Sequence, residues 1–504
     1  MTRTRCIWAS IAAGLLTLAS CVYLPRFDDA PITYAVSAQA DSRIADMLAA
    51  TPAAARKALL IEDPQLALTS RIDLIDAADN GIDAQYFIWQ NDSTGILVID
   101  RLLAAADRGV RVRVLVDDIQ LEGLVDRLTA LDEHPNIEIR IFNPFSVRLR
   151  LGLSLFRVAE FAIDGNRLNH RMHNKLIVAD NQVAILGGRN IGDDYFGQSK
   201  QRNFIDTDIL LSGHVVQDLS QGFDTYWNSR WAYPVGALIN FSLISLDLDS
   251  IRKRIRRRLA DHPDLRAVVA QGSHENVISA LGGGAALISS EAVVDDPSVS
   301  WLDRPNDIAV ELAEIALTAE REVLIVSPYF IPTPNLLPIG KALMGRGVKI
   351  TVLTNSLASN DVVIAHAAYA RYRRQIVASG AELYEMRGDP EMMLNDAAED
   401  FSLHSKYIIF DDEVVFIGST NLDPRSLYLN TELGVVLRSP ELADALRASF
   451  HNLIKPENAW RVTAAPEGFS WQSAAGVIQE EPAKGVWQRF RAWIYSFVPV
   501  SSQL

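Results

Sequence analysis

The sequence has almost no cysteine: two in 504 residues, Cys6 and Cys21, both close to its start. A scaffold stapled by disulfides is thereby excluded, and the fold has to rest on an apolar core. An excess of positive charge is also missing. The 48 Lys and Arg against 62 Asp and Glu leave a formal charge of −14, a field that repels polyanions, so nucleic acid is not an expected partner. No stretch approaches the ~18 uninterrupted apolar residues of a membrane span. What remains is 49% hydrophobic and 22% charged, the composition of a globular chain. At roughly 150 residues per domain its length holds two or three folded units.

One short apolar segment, Ile7 to Leu18, is preceded by Arg3 and Arg5 and closes on Leu18-Ala19-Ser20-Cys21. Basic, apolar and small residues in that order read as a secretory signal over residues 1–20. The closing tetrapeptide resembles the lipobox of bacterial lipoproteins. That resemblance implies a diacylglyceryl thioether on Cys21, a lipid-anchored linker over 21–54 and an exported protein at the periplasmic face of a bacterial membrane. Val22 after the cysteine makes the outer membrane of a diderm cell the default by the same analogy. Loss of residues 1–20 removes Arg3, Arg5 and Cys6, leaving a formal charge of −16 and no cysteine pair to oxidise.

Beyond the linker one pattern is written twice. Arg71 to Ala78 has helical spacing and leads into the strand-like Ile82 to Trp89; a helix through Leu102 to Ala106 stops at Gly109, and Val110 to Val116 alternates as a strand. The second copy repeats the order with a helix from Ile308 to Leu317, a strand from Val323 to Val326, a helix near Lys341 to Leu343, Gly347, and a strand from Val348 to Leu353. Helices alternating with strands predict an α/β layer structure in each half, and two similar halves predict a site between them. The expected organisation is a first lobe over 55–235, a basic inter-lobe segment over 236–290, a second lobe over 291–457 and a C-terminal tail over 458–504. The inter-lobe segment holds Arg252 to Arg258, the strongest cationic run, which reads as a solvated helix face or a contact for anionic headgroups. The tail mixes aromatic and basic residues from Val486 to Val498, which suits either an interfacial segment or packing onto the protein itself.

The chemistry sits in a second duplication. His173-Asn174-Lys175 is followed by Asp180, Gly187-Gly188 and Asn190; His404-Ser405-Lys406 is followed by Asp411, Gly418-Ser419 and Asn421. Buried-strand residues, Leu176 to Ala179 and Tyr407 to Phe410, separate each Lys from its Asp. On a strand, residues two apart share a face, so each copy offers an imidazole and an ammonium in one direction. A phosphodiester resists attack because its charge repels nucleophiles and its alkoxide leaves poorly. Catalysis therefore needs charge neutralisation, an activated nucleophile and a proton donor, and the paired motif holds all three.

This duplicated motif resembles that of the phospholipase D superfamily, from about Arg71 to Glu457. Arg167 to Lys175, Gly187 to Asp193 and Asn421 to Ser426 resemble bacterial cardiolipin synthases of the C type. The resemblance implies an α/β fold of two pseudo-symmetric phospholipase D-like α/β/α sandwich lobes with the active site between them, acting without a metal or other cofactor. It further implies a phosphohistidine on His173, with His404 as acid and base, Lys175 and Lys406 on the phosphate, and Asn190 and Asn421 assisting them. Residues alone do not distinguish the two histidines. The aligned pieces Asp206-Thr207-Asp208 and Asn430-Thr431-Glu432 nominate Asp208 and Glu432 to orient the imidazoles. Asp180 and Asp411 complete the catalytic motif but brace the local turn and strand more than they touch substrate.

The expected reaction is transfer of a phosphatidyl group to phosphatidylglycerol, giving cardiolipin. Hydrolysis of phospholipids and an exported phosphodiesterase or nuclease are the rivals within the superfamily; a non-catalytic lipid-binding lipoprotein is the rival outside catalysis. The segment Asn355-Ser356, Asn360-Asp361, His366 and Tyr369 resembles one in cardiolipin synthases and is a candidate wall of the headgroup pocket; read without the family, Ile364 to Tyr372 is an amphipathic helix. Phospholipids and a membrane reached through the lipid anchor are the partners this reading names, with no protein partner specified.

Overall fold

Helix starts are set locally. The Asp63 carboxylate accepts from the Leu66 N–H ahead of the helix Pro64–Ala77, Asp92 does so from Gly95 ahead of Ser93–Asp107, and Asn306 from Ala309 ahead of Asp307–Thr318. Gly109 and Gly347, at φ +98° and +90°, turn the chain out of the helices Ser93–Asp107 and Leu336–Gly345 into the strands that follow. The computed structural model describes residues 30–49, 57–121, 124–146, 153–238, 246–263, 265, 277–298, 304–332, 334, 336–393 and 396–498. The predicted signal and Cys21 lie outside the described residues.

The first sheet takes β1 (Lys57–Ile61), β2 (Gly81–Tyr86), β3 (Arg111–Asp117), β4 (Ile137–Phe142), β5 (Lys175–Ala179) and β6 (Val183–Gly187). After β7 (Arg202–Ile205), which stands apart, β8 (Asp208–Ser212), β9 (Ala232–Pro234) and β10 (Ala285–Ala286) join it, giving the order β10-β1-β8-β6-β5-β2-β3-β4-β9. The second sheet is drawn from β11 (Ser289–Val294), β12 (Glu322–Val326), β13 (Lys349–Asn355), β14 (Glu382–Met386), β16 (Tyr407–Phe410), β17 (Val414–Gly418) and β18 (Leu433–Arg438). It is extended by β19 (Ala459–Ala465), β20 (Gly468–Ser473) and β21 (Gly476–Ile478), in the order β11-β18-β17-β16-β12-β13-β14-β19-β20-β21. In both sheets three consecutive strands are parallel, β2-β3-β4 and β12-β13-β14, and the motif strand pairs antiparallel with the first of them. The lobes are therefore copies of one topology.

The two sheets face each other. Leu176, Val178, Leu186, Ile209 and Leu211 of the first lobe share one apolar cluster with Leu324, Leu353, Ile409, Ile417 and Val435 of the second, while separate clusters lie between each sheet and its outer helices. Strands covered on both faces read as continuous apolar runs, which is why the motif strands are Leu-Ile-Val-Ala and Tyr-Ile-Ile-Phe. β15 (Asp400–Leu403) pairs in parallel with β7, so backbone hydrogen bonds also bridge the lobes.

Three expected boundaries are corrected. The segment 236–290 is not independent of the lobes: the helix Leu248–Ala260 buries Ile251, Ile255 and Leu259, its Arg252 pairs with Asp107 at 2.7 Å, and β10 adds an edge strand to the first sheet. The second lobe begins in sheet pairing at Ser289, where β11 meets β18. The tail 458–504 is not outside the lobe either, because β19 pairs with β14 as β9 pairs with β4. Among the described residues no helix is long and apolar enough to cross a membrane.

Candidate active site

His173-x-Lys175 and His404-x-Lys406 stand at the starts of β5 and β16, the central strands of their sheets. Each is tied to the opposite lobe by its own backbone: the His173 N–H donates to the Thr431 carbonyl at 2.8 Å, and the His404 N–H donates to the Ile205 carbonyl at 2.8 Å. The residue after each acceptor is a carboxylate, Glu432 after Thr431 and Asp206 after Ile205. Those carboxylates take the imidazoles. Glu432 lies 3.0 and 2.9 Å from His173 Nδ1 through its two oxygens, and Asp206 Oδ2 lies 2.6 Å from His404 Nδ1. Both motif imidazoles are thus oriented by a carboxylate of the other lobe.

With Nδ1 against a carboxylate, the proton of a neutral imidazole sits on Nδ1 and the Nε2 lone pair is left free. Burial holds both histidines well below the ordinary imidazole range, and the charges of Lys175 and Lys406 push them further down. The His173 charge also acts on His404, so the four motif side chains share one electrostatic site. Burial lowers both ammonium groups as well, Lys406 to about 8, opposed by Asp206 and Glu432. It pushes Glu432 up to about 7, opposed by Lys175 and the Ser419 hydroxyl, and raises Asp206 against the pull of Lys406. Lys175 and Lys406 donate to the carbonyls of His173 and His404, two residues back. Phe87 stands edge-on to His173 with centroids 4.8 Å apart, and Tyr195 and Phe204 flank His404 at 5.3 and 4.9 Å, forming aromatic walls around both rings.

Other expectations need correction. Asp208 does not orient a histidine: its buried carboxylate takes Arg71 at 2.9 Å and Arg189 at 3.2 Å. Sheet register explains the slip. Gly187 pairs with Asp208 as Gly418 pairs with Gly434, so Asp208 matches Gly434 and Asp206 matches Glu432. Asp180 and Asp411, by contrast, brace the local backbone as expected. At φ +50° each turns its carboxylate onto three consecutive backbone N–H groups, those of 79–81 and 320–322, fastening the turn ahead of β2 and β12. The Asn190 amide is engaged at both ends, accepting from the Ile88 N–H at 3.0 Å and donating to the Tyr195 hydroxyl at 2.9 Å. Asn421, its counterpart, keeps a buried carbonyl oxygen with no hydrogen-bond partner among the described residues.

The segment 355–369 is mixed in role. Asn355 is bonded to the backbone of Pro328 and Leu403, and His366 and Tyr369 belong to a buried network with Glu481, Arg373 and Glu385. Asp361 acts on the site: Tyr329 donates to it at 2.7 Å, and its charge is felt by Lys406 and Tyr195.

A family model described as cardiolipin synthase, PLD-like domain, matches residues 72–227 and 312–454. The chain belongs to this family. Its members include relatives of nearly full length: the chain is 36% identical over 457 residues to cardiolipin synthase C of Escherichia coli (strain K12), covering 86% of this chain and 93% of that protein. An uncharacterized protein of Helicobacter pylori (strain ATCC 700392 / 26695) is 34% identical over 434 residues, 84% of each chain. In fold the chain is similar to phosphatidylserine synthase of Haemophilus influenzae Rd KW20, with a TM-score of 0.58 at 15% identity over 89% of this chain and 95% of that one. A cardiolipin synthase-family chain with this two-lobed fold is an enzyme of the phospholipase D type.

Proposed function

We propose that this protein makes cardiolipin by moving a phosphatidyl group onto phosphatidylglycerol through a phosphohistidine. In the first step His173 Nε2 attacks phosphorus, an N–P bond forms, and the P–O bond to the headgroup alcohol breaks as His404, which enters this step as the imidazolium beside the bound phosphate anion, passes its Nε2 proton to that oxygen. In the second, His404 takes the proton from the acceptor hydroxyl, whose oxygen attacks phosphorus and releases His173. A bound phosphodiester anion offsets the repulsion among the two ammonium groups and the imidazoles, and it returns charge to a buried site that otherwise disfavours it. The observation that carries this reading is the reciprocal pairing of His173 with Glu432 and His404 with Asp206, which orients each imidazole from the opposite lobe while both rings feel the charges of Lys175 and Lys406.

Phospholipid as substrate is favoured over nucleic acid by the chain's negative charge and by the names of its relatives. The same proposal includes export, cleavage after Ser20 and attachment through Cys21 to the periplasmic face of the outer membrane, on the strength of the signal and lipobox pattern. Lipid mass spectrometry of a cardiolipin-deficient host tests it. Expression of the chain is expected to restore cardiolipin and the His404→Ala variant to leave it absent; accumulation of phosphatidic acid in place of cardiolipin would make the enzyme a hydrolase.

A further inference from the structure

The helix Val486–Tyr495 is mounted with its apolar side outward. Its inner face presents Gln488, Ala492 and Tyr495: Ala492 and Tyr495 pack with Leu357 and Val363, and Gln488 donates to the Leu357 carbonyl at 2.7 Å. The outer face carries Trp487, 74% exposed, Trp493, 58%, and Phe497, 69%, with Phe490 between them. These rings form one row along the helix, Trp487 against Phe490 at 5.6 Å, Phe490 against Trp493 at 5.9 Å and Trp493 against Phe497 at 5.0 Å. A helix that stabilises a soluble fold turns its apolar stripe to the core; this one turns it to the outside, while Arg371 fixes its end through the carbonyls of Ser496 and Val498.

Charge narrows the occupant. The chain as a whole has 62 acidic residues against 48 basic, yet residues 482–504 contain Lys484, Arg489 and Arg491 and no carboxylate side chain, although Lys484 meets Asp400 and Arg489 meets Glu480 at 3.0 Å at its edge. Tryptophan and phenylalanine beside arginine is the composition that partitions to the boundary of headgroups and acyl chains of anionic lipid. The helix is also fastened to the stretch beginning at Leu357, which carries Asp361, whose charge is felt by Lys406, so the helix is anchored on a segment that acts on the catalytic site. We propose that this helix seats in the surface of a phospholipid bilayer and brings the cleft to its substrate in the membrane; the delivery part rests on the lipid-substrate reading above, and the docking does not.

The test uses the full chain with vesicles of phosphatidylglycerol and phosphatidylethanolamine whose acyl chains are brominated. Tryptophan emission is expected to be quenched, and most of the quenching to disappear in Trp487→Phe/Trp493→Phe. Trp487→Ser/Trp493→Ser is expected to lose at least about tenfold in turnover of vesicle lipid and to keep its turnover of a short-chain phospholipid dissolved as monomer. Quenching that survives both Phe substitutions would overturn the proposal. So would a wild-type dimer in lipid-free buffer that the Ser variant dissolves, because the row would then cover a second copy. Absence of short-chain turnover in the wild type would retire the proposed activity, while the quenching would still decide the docking.

Discussion

The two halves of the site solve one geometric problem with different residues. His173 meets both oxygens of the longer acid, Glu432, and that acid is held in turn by the Ser419 hydroxyl. His404 meets one oxygen of the shorter acid, Asp206, and Lys406 Nζ lies 3.0 Å from the same ring nitrogen. Gly188 occupies the place of Ser419, and a Cβ built there would stand 2.1 Å from Asp206 Oδ1. The pairings are therefore not interchangeable: the serine serves the glutamate, and the glycine makes room for the aspartate. Pseudo-symmetry copied the backbone, and side chains then divided the environments of two chemically identical imidazoles.

The largest expected effect breaks that division. His173→Ala should abolish the acid-labile adduct formed with labelled phospholipid and lower transfer by more than ~10⁴-fold, whereas His404→Ala should lose roughly 10²–10⁴-fold and still form adduct from a substrate with a good leaving group. The opposite assignment of adduct would exchange the two roles. Next come the carboxylates. Asp206→Asn and Glu432→Gln should each lower kcat by roughly 10²–10⁴-fold with Tm little changed, since each leaves an imidazole without its orienting charge. Asp208→Ala should instead lower stability by about 3–5 kcal/mol in chemical unfolding, because it leaves two buried guanidinium groups without their shared partner.

A smaller effect lies in pH. Glu432 titrates at about 7 and must be ionised to orient His173, so kcat/KM should rise with pH through that value; Lys406 titrates at about 8 and must be protonated to hold phosphate, so kcat/KM should fall above it. Glu432→Gln should erase the rising limb and keep the falling one, and retention of both would remove Glu432 from this role. The smallest change in chemistry is expected from Asp180→Ala and Asp411→Ala. Each orphans three backbone N–H groups and should cost stability, about 1–3 kcal/mol at the buried Asp180 and less at the half-buried Asp411, while turnover per folded molecule is retained. Urea unfolding alongside active-site titration measures both.

Much of this was legible in the chain. The helices and strands around Gly109 and Gly347 were readable because capping side chains and alternation act over a few residues; the observed helix Asp307–Thr318 falls where that reading put it, and Pro64–Ala77 ends where expected but begins seven residues earlier than the expected Arg71. The His-x-Lys repeat identified four site residues for the same reason: its spacing is local and written twice. Asp206 was missed because a two-residue slip between the copies is invisible until Gly187 and Gly418 are paired with their partner strands. That strand pairing is the signal that finds it. The strands β19 to β21 were missed because an exposed edge hairpin alternates weakly and reads as tail.

By itself the sequence determined the doubled topology, the two imidazole–ammonium pairs and the class of chemistry, because all of these follow from short-range periodicity and from repetition of a motif. Only the tertiary structure decided which carboxylate serves which histidine. That choice rests on the backbone bonds from His173 to Thr431 and from His404 to Ile205, contacts between residues some two hundred or more positions apart, made when two apolar sheet faces close on each other.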